Sequence, residues 1–490
     1  MTEDLAYTSA VDALELFRAR KLSPVELLDA MILRAEQVEP VVNAFAETFY
    51  DDARAQARAA ERRYAEGTAR PLEGICVAVK EETPIAGQRR TRGSVPLRDQ
   101  VAQETAVFVQ RILDAGGIVH VRTTTPEFSC ASFTWSHLWG VTRNPWNPAY
   151  SPGGSSGGSG AALAAGTTTL ATGSDIGGSI RIPASFCGVV GFKPPYGRVP
   201  AVEVVNLDHY SHEGPLARTV ADCRLLENVI AGPDPSDVVS IRPKLVIPEQ
   251  LESIKGMRIA FSSDLGCFRV AADVATNARA AVGLLESAGA VVEEAQLPWE
   301  LATIKQAGRA HLGTIFGTSL GGIYAAHRDE LTPYARRSYE ESEKLQKSDF
   351  VAGLALEGQL YRPLGALLER VDALVCPTFG IPAFPAEWST DVPLDVDGVA
   401  VQDWWDVVMT IPFNIASRCP VMSVPSGRSK DGIPTGLSIV GRTYDDVTVF
   451  RVAAALERVE PWLASPPLAP KSGPPGVPAG TSATGDHSRA

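Results

Sequence analysis

No two of the seven cysteines stand in a CxxC spacing; Cys76, Cys130, Cys187, Cys223, Cys267, Cys376 and Cys419 are scattered and odd in number. That argues against both a disulfide framework and a cysteine zinc site, and leaves reduced thiols as the expectation. Nowhere do roughly 18 apolar residues run together, so no membrane span is expected. The opening residues MTEDLAYTSAVDALELFRARK carry early acids and lack the apolar stretch of a secretory leader, which predicts a cytoplasmic location. Blocks of Lys or Arg are also missing: 45 basic residues face 57 acidic ones, a net charge of −12. Nucleic-acid phosphates need a basic stripe and are therefore not an expected partner.

What is present is a large apolar core in an α/β pattern. Ser23-Pro24-Val25-Glu26 is a capping box with proline at the first helical position, ahead of Leu27, Leu28, Met31 and Ile32. An Ala/Arg/Glu-rich run over about 44–66 predicts a second helix. Ile75-Cys76-Val77-Ala78-Val79 reads as a buried strand that ends at Lys80. Helix 103–115, strand 118–122, strand 256–262, helix 272–288 and strand 290–294 follow. Two helical runs between about 300 and 370, strand 372–376, helix 403–416, strands 420–424 and 435–440 and helix 444–458 complete the reading. Apolar strands without alternation, separated by helices, indicate a buried parallel or mixed sheet. From Ser465 the chain is rich in Pro, Gly and Ser, which predicts one folded domain over 1–464 and a disordered tail over 465–490.

Much of the glycine sits in the middle of that domain, in Gly153-Gly154-Ser155-Ser156-Gly157-Gly158-Ser159-Gly160 and Gly173-Ser174-Asp175-Ile176-Gly177-Gly178-Ser179. A flexible linker fits badly, because Ala161–Ala165 and Val189–Phe192 on the flanks are apolar. A phosphate-binding loop needs a lysine directly after its glycines, and none occurs between Lys80 and Lys193. Gly153–Gly157 matches G-x-S-x-G, yet three prolines just before it exclude the central strand that a nucleophile elbow requires. A fourth reading is a serine nucleophile activated by lysine. Such a lysine must lose its proton, which desolvation favours from an ordinary pKa of about 10.4. Lys80 at the end of an apolar strand suits that role, although strand-end lysines ordinarily reach water.

The segments SPGGSSGGSGAALAAG (151–166) and GSDIGGSIRIPASFCGVVGFKPPYGR (173–198) resemble the diagnostic stretch of the amidase signature family. VAVKEETPIAG (77–87), TRNPWNP (142–148), GPLARTVAD (214–222) and the stretch 420–449 are also similar to family segments, so the resemblance spans roughly 8–462. It implies an α/β fold: a single large domain whose twisted, mixed and largely parallel central sheet is covered by helices on both faces. It further implies a serine–cis-serine–lysine triad. Ser179 would be the nucleophile, Ser155 the bridge after a cis Gly154–Ser155 bond, and Lys80 the base. Backbone N–H groups of Ile176, Gly177, Gly178 and Ser179 would form the oxyanion hole, with Ser156, Asp175 and Arg181 bracing the loops.

The resemblance implies neither metal nor cofactor, and a small amide or carbamate as partner; a homodimer stays open. Cys187 reads as a packed core residue. Glu81 stands where the family more often has aspartate, and Lys193-Pro194-Pro195 replaces a usual threonine. The family also includes the glutaminase subunit of a tRNA-dependent amidotransferase, whose nucleophile segment typically reads Ser-Ile-Arg-Gln-Pro. Here Ile182 takes the glutamine's place, which favours a free-standing hydrolase. An acyl pocket is expected from Phe128, Phe133, Trp135, Trp139, Phe316, Trp388, Trp404 and Trp405, a lining suited to a bulky uncharged group.

Overall fold

Short apolar runs supply most strands of one sheet. This computed structural model describes residues 5–201 and 207–462. The strands are β1 (Phe45–Thr48), β2 (Cys76–Lys80), β3 (Ile118–Thr123), β4 (Leu170–Asp175), β5 (Val190–Lys193) and β6 (His212–Ala217). They continue as β7 (Arg258–Phe261), β8 (Val291–Glu294), β9 (Ala373–Pro377), β10 (Val421–Arg428) and β11 (Pro434–Gly441). Their spatial order is β1-β3-β2-β4-β6-β5-β10-β11-β9-β7-β8, an 11-stranded sheet. The sheet is mixed, as expected. Parallel pairing is confined to its flanks, β3-β2-β4 on one side and β9-β7-β8 on the other. Every ladder from β4 through β9 is antiparallel.

Alternation along β2 sends Val77 and Val79 into one core and Ala78 into another. The first core holds Phe108, Leu226, Leu285 and Phe450, from helices on one face of the sheet. The second joins Ala78, Ala171 and Leu216 to α1 (Gly157–Ala165) and α2 (Arg181–Cys187) on the opposite face. Lys80 shares the parity of Ala78 and so points to the side of α1 and α2. Only small side chains let α1 lie so close: a Cβ at Gly158 would fall 2.5 Å from the Thr124 nitrogen. Three further helices, α3 (Leu301–His327), α4 (Pro333–Ser342) and α5 (Lys347–Leu368), pack beside an aromatic cluster of Phe133, Phe186, Phe379, Phe384 and Trp388.

The capping box at Ser23 forms as expected. Several expectations change. The run over 44–66 splits into edge strand β1 and a helix beginning at Tyr50. The helix expected over 403–416 is a 3-10 turn, Trp404–Val407, and one short turn, Pro412–Ile415. Pro412 explains the break: without an N–H it can begin a helical turn but cannot continue one from the residues before it. Strands β4, β5 and β6 carry Gly, Ser and Pro and were not apolar enough to be anticipated. The tail expected at 465–490 lies outside the described residues. Among the described residues, no helix is long and apolar enough to cross a membrane.

Candidate active site

Lys80, the last residue of β2, is fully buried. Its Nζ donates to Ser155 Oγ at 2.6 Å and to Ser174 Oγ at 2.8 Å. The Gly154–Ser155 peptide bond is cis, as expected. Ser156 N–H donates to the Ser179 carbonyl at 3.2 Å, which draws the turn before α2 against the segment before α1. Lys80 and Ser155 therefore touch at the C-terminal end of β2, and the Ser179 backbone is tied to the residue after Ser155.

A carboxylate absent from the sequence-derived site completes the lysine's surroundings. Glu82 Oε1 lies 2.7 Å from Lys80 Nζ and accepts from Ser174 Oγ at 2.5 Å, while Ser129 Oγ donates to its other oxygen. Burial alone would raise the Glu82 carboxyl. The Lys80 ammonium and the hydrogen bonds from Lys80, Ser129 and Ser174 outweigh it and hold the group down at about 2. Lys80 is thus desolvated as expected, but it is also ion-paired.

The turn that carries Ser179 is organised by Asp175. Its Oδ1 accepts from Gly178 N–H (2.9 Å), Arg181 (2.8 Å) and Asn414 Nδ2 (2.9 Å). Its Oδ2 accepts from Ile180 N–H (3.2 Å) and Arg181 Nε (3.0 Å). Burial works against the charged carboxylate here too, and the Arg181 guanidinium overcomes it, keeping Asp175 below the ordinary range. Arg181 also donates to the Thr410 carbonyl (3.1 Å) and to Asn414 Oδ1 (2.7 Å), and Thr410 Oγ1 donates to the Gly177 carbonyl (2.5 Å). Ser156 Oγ makes a longer contact with the Ser174 carbonyl (3.4 Å). Gly178 N–H is therefore engaged by Asp175. Among the described residues no acceptor engages the N–H groups of Ile176, Gly177 and Ser179.

Ser179, 7% exposed, opens with Ile176 and Gly177 onto a cavity of about 450 Å³. Of the aromatic residues expected there, Phe316, Trp404 and Trp405 line it, joined by Tyr334, which the sequence did not single out. Phe133 and Trp388 pack edge to face at 5.7 Å in the core, and Trp135 abuts Tyr334 at 4.9 Å. Trp139 lies under Arg89, and Phe128 borders a second cavity of about 520 Å³. Glu82 and Ser174 open onto that second cavity, and Ser129, Ile176 and Phe316 border both. Cys187 is a buried core residue, its thiol raised by burial.

One histidine–carboxylate cluster stands apart from these groups. His311 on α3 places Nε2 2.5 Å from Asp208 Oδ1, and His209 Nε2 lies 2.9 Å from Glu357 on α5. Tyr210 donates to Glu357 (2.9 Å) and stacks on His311 at 3.7 Å. Asp208, His209 and His311 bring ligand atoms within 4.8 Å of one another.

A family model described as Amidase matches residues 26–450. The chain is 33% identical over 481 residues to an acylamidase of Rhodococcus erythropolis, covering 95% of this chain and 98% of that protein. It is 34% identical over 482 residues to a glutamyl-tRNA(Gln) amidotransferase subunit of Roseiflexus sp. (strain RS-1), covering 92% and 96%. A solved bacterial aryl acylamidase of the amidase signature enzymes superposes with a TM-score of 0.86 at 29% identity, over 93% of this chain and 97% of that one.

Proposed function

The chain belongs to the amidase signature family and is an amide-hydrolysing enzyme, and from that premise we propose that it cleaves a small uncharged amide through an acyl-enzyme on Ser179, with Lys80 as base acting through Ser155. The observation that carries this reading is the 2.6 Å contact between the buried Lys80 amine and Ser155, beside a Ser179 turn that opens on a cavity.

Ser179 Oγ bonds to the substrate carbonyl carbon while its proton passes to Ser155, whose own proton passes to neutral Lys80. The carbonyl oxygen takes the developing charge in front of the open N–H groups of Ile176, Gly177 and Ser179. One such donor is worth about 3–4 kcal/mol in the transition state. The C–N bond then breaks, and the amine leaves with a proton returned from Lys80 through Ser155. Water attacks the acyl ester, gives its proton to the same relay, and the C–Oγ bond breaks as Ser179 is reprotonated.

Phe316, Trp404, Trp405, Leu312 and Ile411 in the cavity wall favour an aryl or bulky acyl group, with Arg309, Arg337, Glu341 and Asp403 in the same lining. Carbamates and aryl esters pass through the same tetrahedral intermediate, so a urethane falls within the proposal. A second reading, the glutaminase component of a tRNA-dependent amidotransferase, draws on the likeness to the Roseiflexus protein. A substrate panel of anilides, short amides, carbamates and glutamine separates the two. Ser179→Ala is expected to abolish hydrolysis of every substrate in a folded protein, and Lys80→Ala nearly so. Full amidase rate in Ser179→Ala would sink the proposal. A stoichiometric protein partner with tRNA-dependent ammonia transfer would favour the second reading.

A further inference from the structure

The catalytic reading needs Lys80 to lose a proton, yet the structure sets a carboxylate directly beside its amine. Nζ meets two hydroxyls and one carboxylate, those of Ser155, Ser174 and Glu82. Hydroxyls can donate to or accept from an amine, so they tolerate either protonation state. A carboxylate at 2.7 Å does not: it favours the ammonium. Glu82 is itself held in place by three donors, Lys80, Ser174 and Ser129, and swinging aside would forfeit all three contacts. Its backbone is fixed as well, because Arg90 Nε donates to the Glu82 carbonyl at 2.6 Å.

We propose that Glu82 is a positioning residue for Lys80, aiming the amine at Ser155 and stabilising its ammonium, so that this carboxylate sets the lower pH bound of activity. The proposal rests on the reading of Lys80 as the base. Its geometry is a closed ring: Lys80 to Ser174, Ser174 to Glu82, Glu82 to Lys80, with Ser155 attached at the amine. Lys80 is fully buried while the Glu82 side chain is 18% exposed, at the edge of the second cavity. The ion pair therefore has its carboxylate at the edge of the second cavity and its amine against Ser155.

The other charged groups nearby have different engagements. Glu81, on the neighbouring position, turns to the Thr91 amide, and Arg122 spans the carbonyls of Lys80 and Glu81. Asp175 is committed to Arg181. Around the second cavity stand Arg92, Glu104, His212, Glu213 and Asp237. Glu82, at 2.7 Å, is the charge in direct contact with the Lys80 amine.

The test is the pH dependence of kcat/KM in Glu82→Gln and Glu82→Ser, with Glu82→Asp as the charge-retaining control. An opposite charge this close moves a titration by roughly one to three pH units. Both neutral variants should therefore shift the acidic limb to lower pH by about one unit or more, and the aspartate variant should stay near the parent. A residue needed only for folding would lower the rate at every pH and leave the limb in place. An unmoved limb in folded neutral variants, or failure of both to fold while Glu82→Asp does, overturns the proposal. Ser179→Ala measured alongside keeps the two claims apart: its inactivity with an unmoved limb sinks only the role of Glu82.

Discussion

Gly178 has φ +124°, and a Cβ built there would lie 2.2 Å from Thr410 Oγ1 and 2.6 Å from the Thr410 Cβ. Both the backbone conformation and the space exclude a side chain, and Thr410 cannot withdraw freely because its hydroxyl holds the Gly177 carbonyl. Gly178→Ala is expected to displace the turn that carries Ser179 and to lower kcat by about 10²–10³, the loss seen when one oxyanion donor is removed. Steady-state kinetics with circular dichroism checks it; a folded variant with near-parental kcat would contradict it. At this scale the sequence was legible where composition was unusual. Lys80 and Ser155 stood out by their setting, and the structure brings them into contact. Glu82, Ser129, Ser174, Thr410 and Asn414 were not legible. Ser174 contacts Lys80 from 94 positions away and Asn414 reaches Asp175 across 239, and no local pattern encodes such pairings.

Helix α3 carries Leu312, Gly313 and Phe316 on the cavity wall, and His311 ties the same turn to Asp208 and, through α5, towards Glu357. Burial lowers the proton affinity of His311; hydrogen bonds and charges from Asp208 and Glu357 outweigh it and raise its pKa from 6.5 to about 9. A raised histidine stabilises the fold fully below its unfolded pKa and loses that contribution as pH rises through the folded value. The stability advantage of the parent over His311→Gln should thus be largest near pH 6 and shrink by up to about 3 kcal/mol by pH 9. Urea unfolding at both pH values reads it; a pH-independent difference would refute the pairing. Elements with strong periodicity or uninterrupted apolar runs were legible, β2, β3, β7 and β9 among them. Those shaped by tertiary context were not. Phe45–Thr48 lies within an Ala/Glu-rich run and becomes a strand because it pairs with β3. Strand β4 carries Ser174 and Asp175 of the site, and Gly, Lys, His, Glu and Pro interrupt β5 and β6, which hides all three from a reading based on hydrophobicity.

The sheet divides by sequence into β1–β6 and β7–β11, and among the described residues the two halves of the sheet pair where β5 meets β10, at Lys193–Val421, Phe192–Met422 and Gly191–Ser423. That short ladder would be a weak seam if it stood alone. It is reinforced on both faces. Helix α2 from the first half packs on β5, β10 and β11, and the C-terminal helix Asp446–Val459 returns to the first half, where Phe450 meets Phe192 at 4.8 Å. The site crosses the same seam: Asp175 and Arg181 come from one half, Thr410 and Asn414 from the other. A chain of this size commonly unfolds in stages. The doubly covered seam and the buried Asp175–Arg181–Asn414 network argue instead for one cooperative unit, with the network as its centre. Calorimetry is expected to show one transition, and loss of activity on heating should track the loss of near-ultraviolet dichroism. Breaking the network tests the same point from the other side. Asp175→Asn leaves the buried Arg181 charge without its carboxylate, a loss of about 3–5 kcal/mol, and should lower that one transition as a whole. Two resolved transitions in the parent, with only one of them moved by Asp175→Asn, would show that the halves unfold independently and that the seam does not bind them.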